Sequence, residues 1–160
     1  MMNRARVWIV LIVTALLLTG CLGTKTLPVP NPAEPTLFVD YQRSGGIAGV
    51  NDRLVVFDNG AALVSSRTTS REIQLNRSEL EQIAQVFESA RFTALEGNYT
   101  SPRGGADFMQ YSISYKGKTV NTEDTAIPPA LEPVIEEMNR VLSNGMSRGQ
   151  TDLSLPGFGL

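Results

Sequence analysis

The chain contains no histidine and a single cysteine, Cys21. Without histidine, neither Ser-His-Asp nor Cys-His catalysis can be assembled, and the commonest zinc ligand is missing. With one cysteine, no disulfide can form within the chain, so packing alone must hold the core together. We therefore expect no catalytic residues, no metal-binding residues and no cofactor.

The chain also has no excess of basic residues over acidic ones. The chain has 14 basic and 16 acidic residues. If residues 1–20 are removed, Arg4 and Arg6 are lost, and the remaining 12 basic and 16 acidic residues give a net charge of −4. This balance argues against nucleic-acid binding and against electrostatic attraction to anionic lipid. The sequence predicts no nucleic-acid partner, and any membrane contact should come from acyl chains.

The longest apolar run, Val7 to Leu18, is too short to span a bilayer. It follows two arginines and ends in Leu18-Thr19-Gly20-Cys21, which is the order of a secretory signal peptide. The tetrad resembles the lipobox of bacterial lipoproteins, in which the cysteine carries diacylglycerol. We predict a signal peptide at 1–20 and lipidation of Cys21, which would hold the protein at the outer membrane or the outer face of the plasma membrane. The alternative is an ordinary cleavage site beside a free thiol.

Composition divides the rest of the chain into three parts. Residues 21–36 carry four prolines among small and polar residues, which is typical of a semi-rigid, extended tether. Residues 146–160 are rich in glycine and serine without apolar periodicity, which predicts a flexible tail. The region between them, 37–145, is long enough to bury a core as a single domain.

Strand and turn patterns in this domain predict two hairpins. The first joins Leu54–Phe57 to Ala61–Ser65 through Asp58-Asn59-Gly60. The second follows Met109–Tyr115, where apolar and polar residues alternate, and turns at Lys116-Gly117-Lys118. Short runs at Leu37–Tyr41 and Glu72–Leu75 predict further strands.

Two segments have helical periodicity. Asn76 and Glu79 have the spacing of a capping box, and the residues after them form one apolar stripe. Pro128 and Pro129 precede a second stripe. The fold class predicted from these elements is α+β, a mainly antiparallel sheet with two helices packed on one face. The stripes contain Leu80, Ile83, Ala84 and Phe87, and Leu131, Ile135, Met138 and Leu142.

The segment from Arg43 to Gly49, Arg-Ser-Gly-Gly-Ile-Ala-Gly, contains three glycines around one isoleucine. Such a backbone can approach another surface closely, which would make Ile47 an exposed contact residue. The alternative is a sharp strand connection with Ile47 folded into the core. Loops and strand ends also hold seven carboxylates, which could form a paired-carboxylate hydrolase or solvated surface charge. They are Asp40, Asp52, Asp58, Glu96, Asp107, Glu123 and Asp124.

Four pieces of the domain, taken together in order, resemble the emfourin (protealysin inhibitor) family. They are Tyr41 to Gly49, Arg91-Phe92-Thr93-Ala94-Leu95, Gly104 to Tyr111, and the proline-led last helix. The resemblance covers about residues 37–142, although the lipid signal and tether are departures from it. It implies a small α+β protein that inhibits thermolysin-like zinc metallopeptidases, with the zinc held by the enzyme.

The resemblance also suggests how inhibition works. Ile47 would enter an apolar pocket beside the zinc, while Gly45, Gly46 and Gly49 bring backbone close to the cleft walls. Arg43 and Ser44 would make polar contacts at the rim, and Ala48 completes the protease-binding segment. Within the same family-like block, Tyr111 should pack on the apolar face, and Asp107 should bind loop N–H groups rather than the enzyme. The second interpretation is a non-enzymatic envelope lipoprotein that binds another protein or a ligand.

Overall fold

A computed structural model describes residues 34–101 and 107–151, with side chains as far as Arg148. The predicted signal peptide, Cys21 and most of the predicted tether lie outside the described residues. In the part of the chain that the structure describes, no helix is long and apolar enough to cross a membrane.

The described residues form one sheet of seven strands, two α-helices and a short 3-10 helix. The strands are β1 Leu37–Gly45, β2 Val50–Phe57, β3 Ala61–Ser65, β4 Ser70–Gln74, β5 Asn98–Tyr99, β6 Met109–Tyr115 and β7 Lys118–Glu123. The helices are α1, Arg77–Ser89, and α2, Glu132–Thr151, and the 3-10 helix is Phe92–Ala94. The strand order in the sheet is β4-β3-β2-β1-β6-β7-β5, and all neighbouring pairs are antiparallel except β5 and β7.

Side chains alternate across the sheet so that one face forms the core. Tyr41 on β1 lies opposite Leu54 on β2 and Ile113 on β6, and all three are buried. Buried residues of both helices belong to the same core cluster. The predicted α+β class, mainly antiparallel sheet and two hairpins are therefore confirmed, and both helices cover one face of the sheet.

Helix α1 begins at the predicted capping box. Asn76 Oδ1 accepts the backbone N–H of Glu79 at 3.0 Å, and Glu79 Oε2 accepts the backbone N–H of Asn76 at 2.8 Å. The pKa of the Glu79 carboxylate is lowered, mainly by its hydrogen bond from the Asn76 N–H and to a smaller extent by Arg148. From this start the helix buries Ile83 and Phe87 against the sheet, as the apolar stripe indicated.

Helix α2 buries three residues of its predicted stripe, Ile135, Met138 and Leu142, and the fourth, Leu131, is buried in the turn directly before the helix. The helix is longer than expected, because it continues through Thr151. The prediction of a flexible tail is therefore wrong for residues 146–151, while 152–160 lie outside the described residues. The helix continues past residue 145 because Gly145 packs against β3, where an added Cβ atom would lie only 2.7 Å from Val64 Cγ2. This glycine allows the helix to pack closely on β3 and does not end it.

We predict that Asn76→Ala lowers the free energy of unfolding by about 1 kcal/mol, because the Glu79 N–H loses its acceptor. Asn76→Ser is the matched control and should change stability much less, since a serine hydroxyl can cap the same N–H. Urea unfolding followed by circular dichroism measures both. Equal losses for the two variants would contradict the capping role.

Candidate functional site

The Arg43–Gly49 segment forms the tip of the β1–β2 hairpin. Gly45 ends β1, residues 46–49 make the turn, and Val50 pairs with Gly45 to begin β2. The side chain of Ile47 is 93% exposed, and Ala48 and Gly49 are exposed beside it. The alternative in which Ile47 packs into the core is therefore wrong.

Glycine is required at three positions of this tip because the backbone has positive φ there. The φ angles are +106° at Gly45, +68° at Gly46 and +59° at Gly49. At Gly45 a Cβ atom would also lie only 2.3 Å from the carbonyl oxygen of Phe108. The Gly49 N–H donates to the Gly46 carbonyl at 2.9 Å, and the Gly46 N–H donates to the Phe108 carbonyl at 3.4 Å. The turn thus rests on the segment that leads into β6.

Arg43 holds the base of the tip to the body of the domain. Its Nε and Nη2 donate to Asp52 Oδ2 at 3.0 and 2.8 Å, and its Nη1 donates to Asn139 Oδ1 at 2.8 Å. Arg43 lies directly across from Asp52 on β2, and Asn139 belongs to α2, so one guanidinium joins three elements. We call the Arg43–Asp52–Asn139 contact the hairpin clamp.

The sequence predicts that Arg43 and Ser44 make polar contacts at the rim of the enzyme's cleft, and the clamp gives Arg43 partners within its own domain. The Arg43 side chain is 26% exposed and faces α2. Ser44, the next residue on the strand, faces the uncovered side of the sheet. The two side chains therefore point to opposite faces of the sheet, so the predicted contacts of Arg43 and Ser44 would be made on opposite sides of the tip.

Two tyrosines pack beside the clamp. The buried Tyr41 donates its hydroxyl to Asn139 Oδ1 at 2.8 Å. Tyr111 stacks on it with ring centroids 6.5 Å apart, in agreement with its predicted packing role. Burial raises the pKa of both hydroxyls, and the charge of Asp124 adds to the rise at Tyr111.

A second turn, Ser66 to Thr69 between β3 and β4, lies beside the tip. Arg67 Nη1 donates to the Gly49 carbonyl at 3.3 Å. A cleft of about 460 Å³ separates the two turns. Its lining residues are Ala48, Gly49, Val50, Asn51, Asp52, Ser66, Arg67 and Thr68. Nothing in the sequence pattern indicated that these two turns meet.

The uncovered face of the sheet carries a polar hollow of about 370 Å³. Among the described residues that line it, Glu123 is the one with a charged side chain, and its Oε1 accepts the backbone N–H of Ser101. The other lining groups are amides and hydroxyls, so the hollow is rich in neutral donors and acceptors. They come from Gln42, Ser44, Asn98, Thr100, Gln110, Ser112 and Asn121, whereas Tyr111 and Thr122 also line the hollow but turn their side chains to the core face.

Most of the seven carboxylates considered for hydrolysis are bound by neighbouring groups. Asp40 pairs with Arg53 at 2.6 Å, and Asp52 belongs to the clamp. Asp124 accepts the Met109 N–H at 3.0 Å at the start of β6, the role that had been expected of the exposed Asp107. Within residues 34–101 and 107–151, no group of three or more acidic, histidine or cysteine side chains could hold a metal ion.

A model of the emfourin family matches residues 60–139, which are half of the 160-residue chain. The chain belongs to the emfourin family. Emfourin domains form a family of protealysin-type metalloprotease inhibitors. The match includes β3 to β7, α1 and the first part of α2, and it begins after the β1–β2 tip. A comparison with curated proteins gave no match.

For this emfourin we predict that Gly45→Ala destabilises the domain by about 1–3 kcal/mol, because a Cβ atom is strained at positive φ and collides with the Phe108 carbonyl. Gly117→Ala is the control, since Gly117 also has positive φ, at +76°, but has no atom within 4 Å of an added Cβ. Thermal unfolding measures the stability of both variants, and the difference between them gives the cost of the contact with the Phe108 carbonyl, because both share the strain of a Cβ atom at positive φ. A loss at Gly45 no larger than that at Gly117 would show that Phe108 does not constrain the tip.

Proposed function

We propose that this emfourin is a lipid-anchored inhibitor of thermolysin-like zinc metallopeptidases and that the Arg43–Gly49 tip blocks the enzyme's active-site cleft. The observation that carries the proposal is the exposure of Ile47 at the end of a supported turn. A large apolar side chain held out in water is typical of an anchor residue that is buried on binding. Membership of an inhibitor family supports the same function.

Substrates of thermolysin-like enzymes bind in extended form along an edge strand, with a bulky apolar side chain in a pocket beside the zinc. Ile47 supplies the apolar group. Within the described residues, the backbone groups of Ile47 and Ala48 make no hydrogen bonds, whereas Gly46 and Gly49 are bound to each other. The free groups at the apex can therefore pair with the enzyme's edge strand. The zinc stays with the enzyme.

The rigidity of the tip explains why the tip would inhibit the peptidase and would not be cleaved by it. The Phe108 carbonyl, Arg67 and the hairpin clamp hold the turn from three directions. Little conformational entropy is then lost on binding, which favours a tight complex. The same support keeps the turn from relaxing into the geometry that attack by the zinc-bound water requires.

The proposed anchor rests on the sequence. Lipid on Cys21 would hold the protein at the cell envelope, and residues 22–36 would extend roughly 45 Å if each residue adds about 3.1 Å. The domain would then meet peptidases beyond the membrane surface. Acyl chains supply the attraction, since each buried methylene contributes about 0.8 kcal/mol.

The second candidate function is that of an envelope lipoprotein that binds a ligand without inhibiting a peptidase. The polar hollow on the uncovered sheet face favours it, because its many neutral donors and acceptors could bind an uncharged polar molecule. The two functions use different surfaces of the domain, so variants at the tip distinguish them.

We predict that residues 22–160, made without lipid, inhibit a thermolysin-like peptidase at stoichiometric concentration. Ile47→Arg should weaken inhibition by at least about 2 kcal/mol, roughly 30-fold in the inhibition constant, because a central anchor is lost. Its melting temperature should stay unchanged, since the side chain contacts water.

Leu37→Arg is the control for this substitution, because Leu37 is 55% exposed at the other end of β1. It should inhibit as the unmodified chain does. Inhibition by Ile47→Arg equal to that of the control would exclude the tip as the blocking element, and absence of inhibition by every variant would favour the ligand-binding function.

For the anchor, we predict that the precursor with Cys21→Ser incorporates no labelled fatty acid and is released from the membrane fraction, because the sulfur that carries the lipid is gone. Leu22→Ser should still be labelled and sediment with membranes. Continued labelling of the Cys21→Ser precursor would show that the lipid is elsewhere or that the chain is not a lipoprotein.

A further inference from the structure

The tip and the Ser66–Thr69 turn lie at the same end of the sheet, since both follow strands that end there. The cleft between them is lined by the exposed residues Ala48 and Gly49 on one side and by Arg67 and Thr68 on the other. Ala48 is the immediate neighbour of Ile47. A surface that receives Ile47 therefore also faces the mouth of this cleft.

Arg67 dominates the charge of the cleft. It is exposed, and none of the six ion pairs between described residues includes it. Its hydrogen bond to the Gly49 carbonyl uses one of five guanidinium N–H groups. Asp52 also lines the cleft, but its Oδ2 is already bound twice by Arg43. The remaining donors of Arg67 are therefore available to an incoming carboxylate.

On the other side of the tip, among the described residues, Asp107 is exposed and precedes Phe108, whose carbonyl binds the Gly46 N–H. A partner that presents a carboxylate to Arg67 and none to Asp107 would meet the tip in one orientation.

We infer that the Ser66–Thr69 turn is a second contact surface for the peptidase and that Arg67 binds a carboxylate on the acidic side of the enzyme's cleft, an inference that rests on the proposed function. Arg67 then has two functions at once. It supports the Gly49 carbonyl inside the inhibitor, and it attracts and orients the enzyme. The first function needs a donor at this position, while the second also needs positive charge.

The test measures association rates and inhibition constants for residues 22–160 carrying Arg67→Lys, Arg67→Ala or Arg67→Glu, at two salt concentrations. The association rate should fall in the order Arg, Lys, Ala, Glu, with Arg67→Glu slower by on the order of tenfold at low salt and nearly equal to the unmodified chain at high salt. Lys118→Glu makes the same change in net charge at the other end of the sheet and should leave the rate unchanged.

Three other results would overturn the inference. If the unmodified chain inhibits and Arg67→Glu associates equally fast, the turn is not a contact and the tip acts alone. If all three substitutions cause the same loss at both salt concentrations, Arg67 only supports Gly49. If the unmodified chain inhibits no thermolysin-like peptidase, this inference and the proposed function fail together.

Discussion

The hydrogen bonds that Arg43 makes to Asp52 and Asn139 are the interaction on which the site depends. They join the last residues of β1 to β2 and to α2, directly below the turn that carries Ile47. Bonds between a guanidinium and a carboxylate are among the stronger ones in proteins, and their geometry is directional. Because this clamp fixes the base, a turn of only four residues has little freedom to bend relative to the core.

The rest of the fold places the clamp where it can act. β1 and β2 are interior strands, so the hairpin is hydrogen-bonded on both outer sides by β6 and β3. Both helices lie on one face, and α2 brings Asn139 to the Tyr41 and Arg43 side chains. The tip is therefore an extension of the best-supported part of the sheet. Binding energy from Ile47 would not be spent on ordering the loop.

Much of this architecture follows from local signals in the sequence. Asp58-Asn59-Gly60 and Lys116-Gly117-Lys118 specify turns, Asn76 with Glu79 specifies a helix start, and alternation assigns the buried face of β6. These features are predictable because each is decided by residues within a few positions of one another. The exposure of Ile47 does not follow from the sequence, because the glycines around it permit either a projecting or an inward turn.

Features that depend on distant residues could not be predicted. The Arg43–Asp52 pair requires the register in which Gly45 faces Val50, and that register was hidden because β2 was expected to begin at Leu54. Asn139 and Arg67 reach the tip only through the packing of α2 and β4. Gly145 directly precedes the predicted flexible tail, and only the closeness of Val64 shows that this glycine is a packing contact within a continuing helix.

A crystal structure of the domain bound to a thermolysin-like peptidase tests the central claim most directly. The account predicts Ile47 buried in the apolar pocket beside the catalytic zinc, with the turn and the hairpin clamp in the conformation of the free domain. A complex in which Ile47 remains in solvent, or in which the turn has refolded to reach the enzyme, would contradict it.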